Sequence, residues 1–102
     1  DAAAQPIRFW ANKYKTKFNE DPGVFSVSGY LMIDAFIQAA QKAGANLNAD
    51  SFIKAMDAST VAPTFFGSPQ LTFSATKRLG SGAWRLSQIQ EGRWKVVSDY
   101  VK

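Results

Sequence analysis

The chain contains no histidine and no cysteine, so the commonest general base, the commonest metal ligand and all thiolate chemistry are missing together. Triads that need His are excluded. An unaided catalyst would have to work with Asp, Glu, Lys, Tyr or Ser, and only eight carboxylates are available. No spaced set of acid, base and nucleophile stands out among them. The expectation is a non-enzymatic protein that needs neither a metal nor a cofactor.

Several residues still have the chemistry to bind. Asp34, alone in an apolar stretch, reads as a ligand contact or as a polar gap in a surface stripe. Trp84 and Trp94, with Arg85 and Arg93 close by, could stack on a base or sugar and pair with an anion. Sheet packing is the simpler reading, because strand alternation places rings in the core by default. Gly67-Ser68-Pro69 and Gly80-Ser81-Gly82 lack the Lys and the strand-to-helix setting of a phosphate cradle, so they read as turns. Arg8, Lys13, Lys15 and Lys17 make one helix face basic, which serves as a solvated face or as a stripe for nucleic acid. The junction from Val24 to Tyr30 carries more. A strand that runs straight into a capped helix aims its end and the helix N-terminus at one spot, where open α/β sheets bind ligands. Phe25, Ser26, Ser28 and Tyr30 would stand there. The competing reading has Phe25 in the core and Ser28 only as a cap.

The elements that must position these residues follow from spacing. Ile7, Trp10, Tyr14 and Phe18 recur at helical intervals behind Pro6, which favours a first helical turn because its missing N–H would be unpaired there. Asn19, Asp21, Pro22 and Gly23 break the pattern, and Val24 to Val27 is a β-branched and aromatic run that reads as a short buried strand. Ser28 is then the expected cap of a helix over Tyr30 to Ala43, apolar nearly all round and needing cover on more than one face. Gly44 ends it in a positive-φ conformation. Asn48 caps a shorter helix from about Ala49 to Ala58, with Phe52, Ile53 and Met56 on its apolar side. Past Val61 the chain turns to short runs, Gln70 to Phe73, Trp84 to Gln90 and Arg93 to Val97, separated by Gly and Pro. These read as strands, the last two joined by a tight Glu91-Gly92 turn.

With 102 residues, 46% of them hydrophobic and 14% aromatic, the chain suits a single segment over 1–102, and most of its rings are expected to pack. Twelve basic residues against eight acidic ones give a net charge of +4, a basic surface that names no partner. The richest apolar stretch, Tyr30 to Ala40, is interrupted by Asp34 and Gln38, which excludes a transmembrane helix there. A chain that begins with Asp1 reads as a mature product or a processed piece.

The order of segments resembles a known family. Phe9-Trp10-Ala11-Asn12-Lys13-Tyr14-Lys15-Thr16-Lys17-Phe18, then Asp21-Pro22 and Val24-Phe25, then Gly29-Tyr30 opening an Ala-rich helix that ends Lys42-Ala43-Gly44, is similar to the C-terminal part of type I periplasmic solute-binding proteins of the branched-chain amino-acid-binding kind. Phe52-Ile53-Lys54-Ala55-Met56, Phe66-Gly67-Ser68-Pro69, Leu71-Thr72-Phe73-Ser74 and Leu86 to Val97 resemble the later elements of that family in order. The resemblance implies an α/β fold that is part of a two-lobed architecture, with helices first and a β-hairpin at the C-terminus. It implies a receptor that captures a small amino-acid-like or aromatic-acid ligand between two lobes and delivers it to an ABC-type membrane permease, in the periplasm or outside the cell. An aromatic residue before the Gly-Tyr helix can reach the cleft in that family, which maps to Phe25 and its neighbours Ser26 and Ser28. Family members are longer and two-lobed, so the expected partners are the remaining N-terminal part of the receptor or another chain, the permease and the small-molecule ligand. Nucleic acid is not an expected partner on this reading. The alternative is an independent small α+β interaction domain whose basic helix contacts an acidic partner or nucleic acid.

Overall fold

In a computed structural model, residues 4–102 are described. Three helices come first: α1 (Gln5–Phe18), α2 (Val24–Ala43) and α3 (Ala49–Asp57). Four short strands follow, β1 (Thr60–Val61), β2 (Leu71–Thr72), β3 (Ser87–Gln90) and β4 (Arg93–Val96). They form two separate antiparallel pairs, β1 with β2 and β3 with β4. This α/β order, helices first and hairpin last, agrees with the expectation from the sequence.

Local chemistry explains the helix ends. Pro6 lies in the first turn of α1, and Asn19 closes that helix at φ 56° with its N–H on the Lys15 carbonyl. Such a left-handed end suits Asn, whose short polar side chain tolerates it. α3 is framed by a reciprocal capping box. The Asn48 carboxamide oxygen accepts the Ser51 N–H at 2.9 Å, and the Ser51 hydroxyl accepts the Asn48 N–H at 2.9 Å, which satisfies two amides that the helix cannot pair internally. α2 stops at Gly44, whose φ of +82° only glycine adopts without strain.

The start of α2 corrects the sequence reading. Val24 to Val27 is no strand but the first turn of a 20-residue helix capped by Gly23. The Ser26 hydroxyl accepts the Gly23 N–H at 3.1 Å, and the amides of Ser26 and Val27 both bond the Gly23 carbonyl. That local capping, continuous with the apolar helix behind it, outweighs the β preference of three residues. Ser28 is therefore not a cap. Inside the helix, its hydroxyl donates to the Val24 carbonyl at 3.1 Å, the usual i−4 arrangement for a mid-helix Ser.

α2 packs on α3 and on β1. Phe36 meets Phe52 with ring centroids 5.0 Å apart. Asp34 finds its explanation here: its carboxylate accepts the Gln38 side-chain amide at 2.8 Å, and the Gln38 oxygen in turn accepts the Ala62 N–H at 3.3 Å. The acid orients a glutamine that tethers the chain just after β1, so a structural role accounts for it.

The β3–β4 hairpin pairs Ile89 with Trp94 and Ser87 with Val96. Its turn residues Glu91 and Gly92 have φ of 53° and 76°, the doubly positive geometry whose twist matches a two-residue hairpin. Pairing resumes beyond Val96: the Val97 N–H bonds the Leu86 carbonyl, and Trp84 and Val101 exchange both backbone bonds at 2.9 and 2.7 Å.

Little is enclosed. Among the described residues, Ala39, Val61 and Ser59 are buried, and no large side chain is fully so. The expectation that most rings pack is met in part: Trp10, Tyr14, Phe18, Tyr30, Phe36, Phe52, Phe65 and Phe66 meet ring on ring, whereas Phe9, Phe25 and Trp94 are 70, 90 and 73% exposed. The sheet-core reading of Trp84 and Trp94 is not met, because both rings lie largely in solvent. The radius of gyration is 16.2 Å, against about 13 Å for a compact domain of this length. Met32, Ile33, Phe36 and Ile37 form an open apolar stripe along α2, the long-helix surface for which the sequence demanded more cover than this chain provides.

Candidate functional site

The four residues singled out from the sequence all lie on the first two turns of α2. They do not converge. At about 100° per residue, Phe25 and Tyr30 point roughly 140° apart around the helix. Ser26 and Tyr30, four residues apart, share one side, whereas Phe25 and Ser28 share the other. Ser26 is occupied at the cap and Ser28 at the Val24 carbonyl. Phe25 stands free in solvent at 90% exposure on a helix end whose position Gly23 fixes.

Tyr30 is half-buried in a cluster of rings. Its ring lies 6.0 Å from Trp10, 5.6 Å from Phe65 and 5.4 Å from Phe66, each edge to face. Trp10 meets Phe66 at 4.9 Å, nearly perpendicular. These tilted and T-shaped contacts are the favourable geometries for aromatic quadrupoles. Together they join α1, α2 and the loop over 62–68. The sequence placed Trp10 and Tyr30 on apolar helix faces but gave no sign that they meet. The Phe65-Phe66 doublet before Gly67 was the signal available, since two adjacent rings at a turn need a neighbour to cover them.

Concavities lie away from α2's first turn. One of about 550 Å³ is bounded by Pro69, Gln70, Thr72, Lys77, Gly80 to Ala83, Tyr100 and Lys102. Its Lys77 ammonium donates to the Thr72 carbonyl at 2.9 Å, the Thr72 hydroxyl at 3.1 Å and the Gly80 carbonyl at 3.3 Å. All three of its N–H donors are thus spent on closing the loop. An apolar crevice of about 330 Å³ opens between α2, α3 and β2, bounded by residues that include Leu31, Phe36, Phe52, Met56 and Phe73. The basic face of α1 is partly committed, with Lys15 on Asp21 at 3.0 Å and Lys17 5.9 Å from the Phe18 ring. Among the described residues, no group of three or more acidic side chains is placed to hold a metal ion.

These elements form an α/β fragment with its helices first, an open apolar helix face and an aromatic side chain displayed at a capped helix end. A model of the periplasmic binding protein family matches residues 1–93, and the chain belongs to that family. Neither a curated protein nor a solved structure matches the chain significantly. Membership makes it a relative of proteins that bind solutes, generally without catalysis, in the periplasm or outside the cell. No helix among the described residues is long and apolar enough to cross a membrane. The match ends within β4, so Trp94 to Lys102 lie beyond it.

Proposed function

We propose that the chain is the C-terminal segment of a non-enzymatic solute receptor that holds a small amino-acid-like or aromatic-acid ligand in a cleft between two lobes. The receptor passes that ligand to an ABC-type membrane permease. Phe25 is the ligand contact on this segment, with Ser28 beside it on the same side of α2. Ser26 fixes the helix start, and Tyr30 anchors the turn behind it. The observation that carries this reading is the contrast within one turn and a half: Phe25 is 90% exposed while Tyr30 sits among three rings. A large apolar side chain displayed in solvent contributes little to the fold and is available to a partner surface.

The open stripe of Met32, Ile33, Phe36 and Ile37 supports the remainder of the reading, because a helix apolar nearly all round needs a second layer. That layer is the rest of the receptor. Titration calorimetry of the complete protein against the standard amino acids and small aromatic acids tests the proposal. Saturable binding of one ligand per receptor, weakened by Phe25→Ala, is expected. A folded receptor that binds none of them, or that binds equally well without the Phe25 ring, would refute it.

A further inference from the structure

Loop 62–68 has no regular structure, yet it supplies two of the three rings that hold Tyr30. Internally it is tied by a Thr64 carbonyl to Gly67 N–H bond of 3.0 Å and by the Ser68 hydroxyl, which accepts the Thr64 N–H at 3.0 Å. Those bonds shape the loop but do not locate it. At its start the Ala62 N–H bonds the Gln38 side chain of α2 at 3.3 Å, and next to its rings it is anchored by the Gly67 carbonyl, which accepts the Tyr100 phenol at 2.7 Å. Gly67 follows Phe66 directly, so one peptide unit, about 3.8 Å from Cα to Cα, separates the anchor from the ring pair.

Tyr100 is itself held on two sides. Val101, its neighbour, exchanges both backbone hydrogen bonds with Trp84. The Arg85 guanidinium lies over its ring, 4.9 Å from the centroid, a cation–π arrangement. The ion pairs among the described residues, Lys15 with Asp21, Arg78 with Asp57 and Lys95 with Glu91, leave Arg85 to that ring. A guanidinium nitrogen of Arg85 would also lie 3.8 Å from a Cβ at Gly67, so Gly67, Arg85 and Tyr100 form one clasp. Tyr100 falls outside the matched stretch of residues 1–93, so membership of the family does not supply this contact.

We infer that Tyr100 is a positioning residue: through the Gly67 carbonyl it sets Phe65 and Phe66, and through them the ring of Tyr30 and the pose of α2's first turns. The consequence for ligand binding rests on the function proposed above, but the mechanical coupling does not. The experiment is fluorine NMR of the complete protein labelled with 5-fluorotryptophan, in wild type, Tyr100→Phe and Tyr100→Leu, with the Trp10 line assigned by its loss in Trp10→Phe. Tyr100→Phe keeps the ring over Arg85 and removes only the hydroxyl.

The Trp10 line is expected to shift in Tyr100→Phe and further in Tyr100→Leu, while the line of Trp94, exposed on the hairpin, stays in place. An unmoved Trp10 line in both variants would overturn the inference. So would collapse of all the lines toward unfolded positions in Tyr100→Phe, because that makes Tyr100 a general stabiliser. Titration of the same samples with amino acids and small aromatic acids reads the second step. About five-fold weaker binding in Tyr100→Phe is expected, the equilibrium weight of one ordinary hydrogen bond. A shifted Trp10 line with neither an amino acid nor a small aromatic acid bound by the wild type would leave the clasp standing and refute the proposed ligand alone.

Discussion

Phe25→Ala separates recognition from folding. The side chain is 90% exposed, so its removal takes almost nothing from the folded state, and exposed substitutions of this kind stay within about 0.5 kcal/mol. Ala is also the better helix former at that position. A Phe buries about 200 Å² when fully covered. A small ligand lying on one face of the ring removes about half of that from water, and ~100 Å² at about 25 cal/mol per Å² amounts to ~2.5 kcal/mol. The expected loss is therefore about 70-fold in affinity. Calorimetric titration gives the affinity, and urea unfolding without ligand gives the stability. Tyr30→Ala is the counterpart: it removes contacts with Trp10, Phe65 and Phe66 and should lower stability by about 3 kcal/mol. Phe25→Ala that destabilises the unliganded protein as much as Tyr30→Ala, or leaves affinity within two-fold, would refute the reasoning.

Other substitutions test the frame. Gly80→Ala places a Cβ 2.8 Å from the Phe73 ring and 3.3 Å from Leu71. It should cost about 1–3 kcal/mol in urea unfolding. Asn48→Ala removes the acceptor for the Ser51 N–H and should cost about 1 kcal/mol, with the loss appearing as faster amide exchange in the first turn of α3. Glu91→Asn at φ 53° relieves a left-handed residue in a turn that prefers Asn-Gly. It should raise the thermal midpoint slightly and sharpen the hairpin amide signals.

The parts of the fold that were legible in the sequence are those governed by short-range rules. Asn48 and Ser51 stand three apart, so one glance at the spacing gives both the cap and the start of α3. Glu91-Gly92 between two apolar-polar runs gives the hairpin and its register. The start of α2 was misread because Val24, Phe25 and Val27 favour a strand, whereas the deciding bond, Ser26 hydroxyl to Gly23 N–H, depends on a spacing of three that β preference hides. Placing Phe25, Ser26, Ser28 and Tyr30 on one element was within reach. Their division between two sides of that element was not, because a strand-to-helix junction points side chains differently from a continuous helix. The aromatic cluster and the Tyr100 clasp join residues far apart in sequence, among them Tyr100 and Gly67, 33 positions apart. No local pattern encodes such meetings. The hydrophobic fraction of 46% likewise promised a core, but composition cannot say whether the partner layer lies in the same segment.

The central claim is that this segment is completed by another lobe that covers α2 and closes a cleft on Phe25. The most direct measurement is native mass spectrometry of the protein isolated from its source, with every polypeptide that accompanies it. The account predicts a longer parent chain or a tightly held companion, in which Met32, Ile33, Phe36 and Ile37 become protected from hydrogen exchange. A monomer of 11.2 kDa, monodisperse and unfolding in one sharp cooperative transition, would contradict it.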